Sequence, residues 1–538
     1  MAESGPEGPA VMTSPEQPCR PTIPLIVRRA ASLFGDGDYV VLPDRRLSFR
    51  QLEGASRRLA KHLLAAGVGK GSRVGIHLPS GPEWVVAFAA VTRVGAMAMP
   101  FSTIYRPVEL RTAMRIGDVS LLLSAPTILG KDHEDFLEET LPGLDSADAG
   151  RLRIPVAPYL RAVWLLGGSS RVWAGRFDVS ADGAGEVVDG IDDALLGTVE
   201  DEVAPADPAV VVFTSGTAAD PKAVVHSQGA VVRKTSPRAN AALNAIFPGR
   251  VLSLMPFFWI GGVQEVLSAL HSGAAILTLE RLNAAAALEL GERERASSIL
   301  GSPQAMRSLF GDADVASVIP TIRELPMRPW QGGPSSRGHM ATGIGMTETF
   351  GPWSNVTGME CRIVNPETGA QVADGQIGEF HVRGYGLMQG LYKREREEVF
   401  TPDGFYATGD LGYMEHDRYF FSARIKDMIK TRGANVAPAE VEVVLNGQPG
   451  VRISFVAGVP HEKYGEEVVA GVVPENGHTI DFVELLTACR RALSSYKVPT
   501  MIELLGQNEI PYLSSGKPNR RAITQMLDQR RGERRGHA

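Results

Sequence analysis

Cysteine is scarce: Cys19, Cys361 and Cys489 are the three in 538 residues. They lie far apart without metal-ligand spacing, which argues against a disulfide scaffold or a zinc site and fits a reducing cytoplasm. An unbroken apolar run is also lacking. The longest, 84-WVVAFAAVTRVGAMAMPF-101, is interrupted by Arg93 and ends near Pro100, so it reads as a core helix and a strand, with no integral membrane contact expected. Nor does one charge dominate. Lys and Arg number 55 against 61 Asp and Glu, a formal net charge of −6, which gives no bias toward nucleic acid or anionic membrane, and no nucleic-acid partner is expected. The first stretch, 1-MAESGPEGPAVMTSPEQP-18, has no basic region with an apolar core. It does not read as a signal peptide, and its Pro, Gly and Glu predict a disordered tail over 1–20.

What is present is a globular composition, 44% apolar and 22% charged, in a chain too long for one core. Ser48 and Gln51 form a capping-box pattern ahead of Leu52, Ala55, Leu59 and Leu63, which predicts a helix ending near Gly67. A strand at 73–78 and alternating helices and strands at 84–92, 95–99, 108–116 and 119–123 follow. This is the grammar of βαβ units and of a sheet covered on both faces. Region 125–205 reads as loops and short strands. From 209-AVVVF-213 the βαβ grammar resumes, and after about 420 the texture changes to short strands and charged helices. The expected fold is α/β: a large N-terminal domain of stacked α/β layers over 21–424, and a small α+β C-terminal domain over 425–526. The end, 527–538, is rich in arginine and is expected to be a solvated basic tail.

The segment 213-FTSGTAADPKAVVHS-227 sets Thr214, Ser215, Gly216, Thr217 and Lys222 after a buried strand. Hydroxyls, backbone N–H groups and a lysine suit an anion. A Walker loop is excluded, because no glycine precedes the lysine. Alone, the segment leaves both a phosphate loop and an ordinary polar turn open. In 343-GIGMTETFG-351, Thr347 and Glu348 offer a hydroxyl and a carboxylate suited to Mg²⁺ and phosphate oxygens, or a solvated turn. In 406-YATGDLG-412, Asp410 is read in a tight turn, as a ribose acceptor or a turn former. The run 422-SARIKDMIKTRGANVAPAEVE-442 supplies Arg424, Lys426, Lys430 and Gly433 before a helix starting near Pro438, and 511-PYLSSGKPNRRAI-523 places Lys517 on a Ser/Gly turn.

The order and spacing of these motifs resemble the adenylate-forming superfamily, in its AMP-forming acyl-CoA synthetase branch, over nearly the whole chain from 48 to about 524. The resemblance implies ATP, Mg²⁺ and CoA. It assigns Thr214, Ser215, Gly216, Thr217 and Lys222 to the β- and γ-phosphates, Thr347 to the α-phosphate, Glu348 to the metal, and Asp410 and Arg424 to the ribose. Gly332 and Gly333 would line the adenine. Lys517 would orient the attacking carboxylate and, with Glu348, serve catalysis. Lys426 matches a hinge, Lys430 and Gly433 the approach of CoA, and Trp259 and Gly261 in 255-MPFFWIGG-262 the acyl pocket. Trp259 stands where relatives commonly show His, and is either core or a gate. The implied activity is an ATP-dependent, AMP-forming acyl-CoA ligase of the cytoplasm, in fatty acid metabolism or with a cyclic acid. A carrier-loading adenylation enzyme and a degenerate nucleotide-binding homologue are the alternatives. The oligomeric state is open, a homodimer being one option.

This sequence departs from the superfamily's pattern at named places. Ala219 and Ala223 replace two glycines, Ile344 an aromatic residue, and Ala423 a glycine. Only 335–342 separates Gly332-Gly333-Pro334 from Gly343, where relatives carry a longer helix and strand, so a wall of the acyl or adenine pocket is expected to be trimmed.

Overall fold

The computed structural model describes residues 20–179, 187–214, 221–236, 249–301, 306, 331–334, 340–342, 345–352, 358–416, 418–431, 434–513 and 518–536. Residues 1–19 of the tail expected over 1–20, and the expectations for Cys19, Ser215, Gly216, Thr217, Ala219, Ile344, Gly433 and Lys517, lie outside these residues.

Two sheets organise the first half. One has eight strands, with Pro208–Thr214, Met97–Pro100, Arg73–Ile76, Leu121–Ser124, Ala162–Leu166 and Ala174–Phe177 parallel in that order. The other sets Ser298–Leu300, Arg250–Ser253, Ala275–Leu277 and Asp38–Val41 parallel, with Arg46–Ser48 antiparallel at its edge. A single apolar core draws on both, from Val40 and Ile276 on one side to Val74 and Val210 on the other. The helices Ile23–Phe34, Phe49–Ala65, Pro82–Arg93 and Ile260–Ser272 contribute to it. Every residue of the helix Pro82–Arg93 except Glu83 is buried, and Trp84 stacks on Phe88 at 5.1 Å between ring centroids. Each such side chain taken from water contributes roughly 1.5–3 kcal/mol. Arg93, the interruption in the longest apolar run, is also buried, and is tolerated because Glu200 and Glu53 pair with it. No helix among the described residues is long and apolar enough to cross a membrane.

The capping box is present: the Ser48 side chain accepts from Gln51 N and the Gln51 side chain from Ser48 N, opening the helix Phe49–Ala65. Region 125–205 holds more order than expected. Its strands Ala162–Leu166 and Ala174–Phe177 extend the parallel sheet, and Asp192 caps a helix Asp193–Glu202 by accepting from Leu195 N. Both strands are short, and the first ends at Gly167 and Gly168, which have positive φ, so their apolar pattern is too brief to stand out. After Pro208–Thr214 the βαβ grammar does not simply resume. The chain turns back in an antiparallel strand, Lys222–Ser227, and only then enters the helix Gln228–Thr235.

An antiparallel sheet of Met359–Val364, Gly378–Gly384, Tyr406–Glu415 and Arg418–Arg424 closes the larger part. The last part is a separate mixed sheet: Ala434–Val436, Ile429–Thr431, Gly465–Pro474, Val451–His461 and Met501–Leu504. The helices Pro438–Asn446, Phe482–Ala492 and Arg520–Gly536 belong to it. The basic end corrects an expectation. It is helical to Gly536, with Ile523 and Leu527 buried and Arg530, Arg531 and Arg534 paired to Glu509, Glu467 and Glu503. Charges matched by a neighbouring sheet need no solvated tail.

Candidate active site

Thr214 and Lys222 face each other as register partners, so antiparallel pairing brings together the residues that flank the segment 215–221. Lys222 is 43% exposed along its side chain and its Nζ stands 3.8 Å from Glu348 Oε1. Glu348 is itself buried, in a one-turn 3₁₀ helix, Thr347–Thr349, between the antiparallel pair Gly345–Met346 and Gly351–Pro352. It is therefore not the solvated turn residue that its motif also allowed. The pairing joins a cation that reaches solvent to a carboxylate largely withdrawn from it.

Tyr406 connects this pair to the next. Its phenol donates to Glu348 Oε1 at 3.2 Å, and burial, followed by the charge of Glu348, raises its pKa well above that of free tyrosine. The ring is thus a fixed donor at every ordinary pH. Four residues on, Asp410 pairs with Arg424, Nε to Oδ1 at 2.8 Å, across directly registered strands. Asp410 corrects the expectation of a tight turn. It lies inside the strand Tyr406–Glu415, which is distorted by Gly409 at φ +73° and by a register shift between Leu411 and Gly412. A kinked strand needs the same Thr-Gly composition as a turn. Asp410 is buried, and Thr408 Oγ1 accepts from its N–H at 3.1 Å.

Trp259 is half-buried at the N-terminus of Ile260–Ser272, edge-on to Phe258 with centroids 5.9 Å apart. A Cβ on Gly261 would fall 2.4 Å from the flexible end of Met255, and one on Gly262 2.1 Å from the carbonyl of Pro256. The segment thus depends on small residues at this bend. One turn along, Gln264 Nε2 donates to Phe350 O at 2.7 Å, which ties this helix to the turn bearing Glu348. The strands Gln331–Pro334 and Met340–Thr342 pair as a hairpin, so the short 335–342 segment is closed by backbone, with Gly332 opposite Ala341 and Gly333 at an irregularity between Gly332 and Pro334. Two departures sit where the backbone is extended. Ala223 and Ala423 are buried in extended strands, paired with Phe213 and Leu411, where a glycine's freedom at positive φ serves no purpose.

Lys426 is exposed on the 3₁₀ turn Ile425–Asp427, and Lys430 stands on the next strand, opposite Asn435. Tyr512 and Pro518, on either side of the segment that contains Lys517, form an antiparallel bridge. Just beyond it, Arg520 makes a bidentate pair with buried Glu442 at 2.9 and 3.0 Å. The sequence reading missed Tyr406, His226, Lys234 and Gln264. Tyr406 opens the same motif as Asp410 and is marked by that position. His226 closes the quoted segment 213–227 without being marked by it, Lys234 and Gln264 stand in no motif, and what these three do shows only through contacts. His226 Nε2 donates to Thr347 O at 2.7 Å, and burial lowers the ring's pKa to about 4. Lys234 donates to Pro352 O at 2.5 Å, and burial lowers its pKa to about 8.

Taken together, Lys222, Glu348, Tyr406, Asp410 and Arg424 form one continuous group, with a phosphate-sized cation at one end and a carboxylate able to accept paired hydroxyls at the other. Comparison with known proteins agrees with its order. A family model described as AMP-binding enzyme matches residues 27–392, and one described as AMP-binding enzyme C-terminal domain matches 440–517. A sulfoacetate–CoA ligase of Cupriavidus necator is 28% identical, over 93% of this chain and 96% of its own. Among solved structures, the anthranilate CoA ligase AuaEII in complex with anthranoyl-AMP superposes with a TM-score of 0.74 at 19% identity, covering 97% of this chain and 100% of that one. ATP-bound MatB from Rhodopseudomonas palustris does so with 0.71 at 21% identity, covering 95% and 99%.

Proposed function

The chain belongs to the family of AMP-binding enzymes, as an AMP-forming acid–CoA ligase, and from that membership we propose that it activates a medium-length, long-chain or cyclic carboxylic acid with ATP and passes the acyl group to CoA. In the first half-reaction a carboxylate oxygen bonds to the α-phosphorus of ATP and the bond to the β-phosphate oxygen breaks, releasing pyrophosphate. In the second, the thiol sulfur bonds to the acyl carbon, AMP leaves with the former carboxylate oxygen, and the thiol proton passes to solvent. The observation that carries the reading is the approach of Lys222 to Glu348, with Tyr406 leading from Glu348 to the strand of Asp410 and Arg424.

In this reading Thr214 and Lys222 close the cradle for the β- and γ-phosphates around Ser215, Gly216 and Thr217. Thr347 meets the α-phosphate, Asp410 accepts from the ribose hydroxyls while Arg424 holds it, and Gly333 borders the adenine. Glu348 fits Mg²⁺: no cluster of three or more His, Cys, Asp or Glu exists among the described residues, but this ion is commonly held by one carboxylate with phosphate oxygens and water. When bound, it would neutralise charge on the phosphates. Lys517 orients the acid's carboxylate and neutralises charge developing at the α-phosphate, an effect worth several kcal/mol in a dry site. Rotation about Lys426 then withdraws Lys517 and brings Lys430 and Gly433 toward the thiol. Trp259 and Gly261 face the acyl group. The setting is cytoplasmic.

The test is CoA-dependent AMP release across a panel of acids. Pyrophosphate exchange without CoA acylation would point to a carrier protein as acceptor, and ATP binding without AMP or pyrophosphate from any acid would indicate a degenerate homologue. Lys517→Ala is expected to cripple adenylation and largely spare thioester formation from a supplied acyl-adenylate; equal loss in both halves would sink the domain rotation.

A further inference from the structure

The turn bearing Glu348 has almost no secondary structure of its own, yet the carbonyls around it are met by donors from elsewhere. Thr347 O accepts from His226 Nε2 at 2.7 Å, Glu348 O from Met388 N at 2.8 Å, Phe350 O from Gln264 Nε2 at 2.7 Å, and Pro352 O from Lys234 Nζ at 2.5 Å. His226 and Lys234 are nearly inaccessible and Gln264 is buried. A buried side chain spent on a carbonyl is a costly arrangement unless that carbonyl must be held. The backbone shows why it must. Phe350 is buried at φ +49° without being glycine, a conformation that costs about 1–2 kcal/mol and persists only where the surroundings over-determine it. Its ring meets His226 edge-on at 5.0 Å. Gly351, at φ +82°, has the Gln264 amide 2.3 Å from where a Cβ would stand, so the tether occupies space that only glycine leaves.

The origin of each donor matters as much as its distance. His226 lies four residues beyond Lys222 on the strand Lys222–Ser227, hence on the same face. Lys234 lies on the helix that follows directly, Gln228–Thr235, and Gln264 on the helix opened by Trp259. The turn is therefore tied to the strand of the phosphate-loop lysine and to the helix of the acyl segment. We propose that His226, Lys234 and Gln264 are positioning residues that preset Glu348 against Lys222 for the adenylation half-reaction, acting through the turn's backbone and touching neither substrate. This rests on the adenylation reading above. It predicts a selective defect: losing a tether displaces Glu348 without removing it, and a displacement near 1 Å at a reacting centre costs up to about a hundredfold in rate.

The experiment compares wild type with His226→Phe, which keeps the ring against Phe350 and removes the donor, with Lys234→Met, and with His226→Gln, which returns a donor near the Nε2 position. Three readouts are taken: acid-dependent pyrophosphate exchange, CoA thiolysis of a supplied acyl-adenylate, and calorimetric ATP binding with and without magnesium. Expected for His226→Phe and Lys234→Met are a fall in the kcat of exchange of roughly ten- to a hundredfold, a KM for the acid within about twofold, thiolysis within about twofold, and a smaller gain in ATP affinity on adding magnesium. His226→Gln should recover most of the loss. Parallel loss of both half-reactions, failure of His226→Gln to improve on His226→Phe, or variants indistinguishable from wild type would overturn the proposal. Should Lys234→Met not fold, the two His226 variants decide. If wild type shows no exchange with any acid, the adenylation reading fails by itself, and the magnesium dependence of ATP binding still tests the tethers; absence of ATP binding would overturn both.

Discussion

Glu348 and Asp410 are both buried carboxylates of the candidate site, and they are held by different kinds of structure. Asp410 sits in a long strand, directly opposite Arg424 on one side and beside an irregularity on the other, so its position follows largely from backbone pairing with the strand Arg418–Arg424. Glu348 sits in a three-residue 3₁₀ turn between two-residue strands, fixed by hydrogen bonds from side chains 86 to 121 residues away in sequence from the carbonyls they meet. The ladder is local, redundant and cheap to maintain. The turn is remote-controlled: it gains coupling to the strand of Lys222 and the helix of Gln264, and it loses redundancy.

The largest effect should separate the two carboxylates by kinetics. Glu348→Gln is expected to lower the rate of acid-dependent pyrophosphate exchange by ~10²–10³-fold, the scale of losing one preorganised charge contact. Asp410→Asn should act mainly through the KM for ATP, by roughly ten- to a hundredfold, as lost hydrogen bonds to a charged group imply. Steady-state kinetics of both variants decide it. Matching splits between kcat and KM would abolish the distinction drawn from the structure.

A smaller effect concerns stability. Gln264→Leu leaves the buried Phe350 carbonyl without its donor and should cost about 1–3 kcal/mol. Thr408→Val removes a donor to Phe380 O at 2.8 Å and an acceptor for Asp410 N–H at 3.1 Å, but the strand keeps its ladder to Arg418–Arg424, and the change should cost no more than about 1 kcal/mol. Denaturant midpoints compare them. A Thr408→Val loss as large as that of Gln264→Leu would mean that the strand depends on its side chains too.

The same contrast governs how much could be read in the sequence. Elements set by neighbouring residues were legible: the Ser48 capping box, the strand at Arg73–Ile76, the helix Pro82–Arg93 and the start at Pro438 all follow from periodicity and caps. The motifs themselves stood out in order, and the fold class and family follow from them. What distant contacts decide was not legible. The strand of Asp410 has a turn's composition, and only its partners straighten it. The part of the helix Arg520–Gly536 beyond residue 526 looked like a charged tail, because the acids that match its arginines come from positions such as Glu467 and Glu503. His226, Gln264 and Lys234 carry no local mark at all, since an imidazole, an amide and an ammonium that cap carbonyls look like any polar residue until the turn is folded against them. The turn over Glu348 is thus the least readable part of the site and the part most dependent on the rest of the chain.

The smallest expected effect is in pH, and it falls on the same turn. Burial lowers the pKa of His77 to about 3 and of His133, His226 and His271 to about 4, and all four lie in the larger part of the chain. A base with a depressed pKa is neutral when folded, so the unfolded chain binds more protons between its own value near 6.5 and the folded value. Stability is then flat above about pH 6.5 and falls as pH drops from there toward 4. One such group contributes up to ~1.4 kcal/mol per pH unit across that window. His226→Gln keeps a donor for Thr347 O and removes one titrating ring, so its stability relative to wild type should improve steadily from pH 6.5 to pH 4.5. No change in that difference should appear between pH 7 and pH 8. Urea midpoints of the two proteins across this range measure it. A constant difference would show that protonation of His226 is not linked to unfolding, and would leave acid lability to the other three histidines, away from the turn.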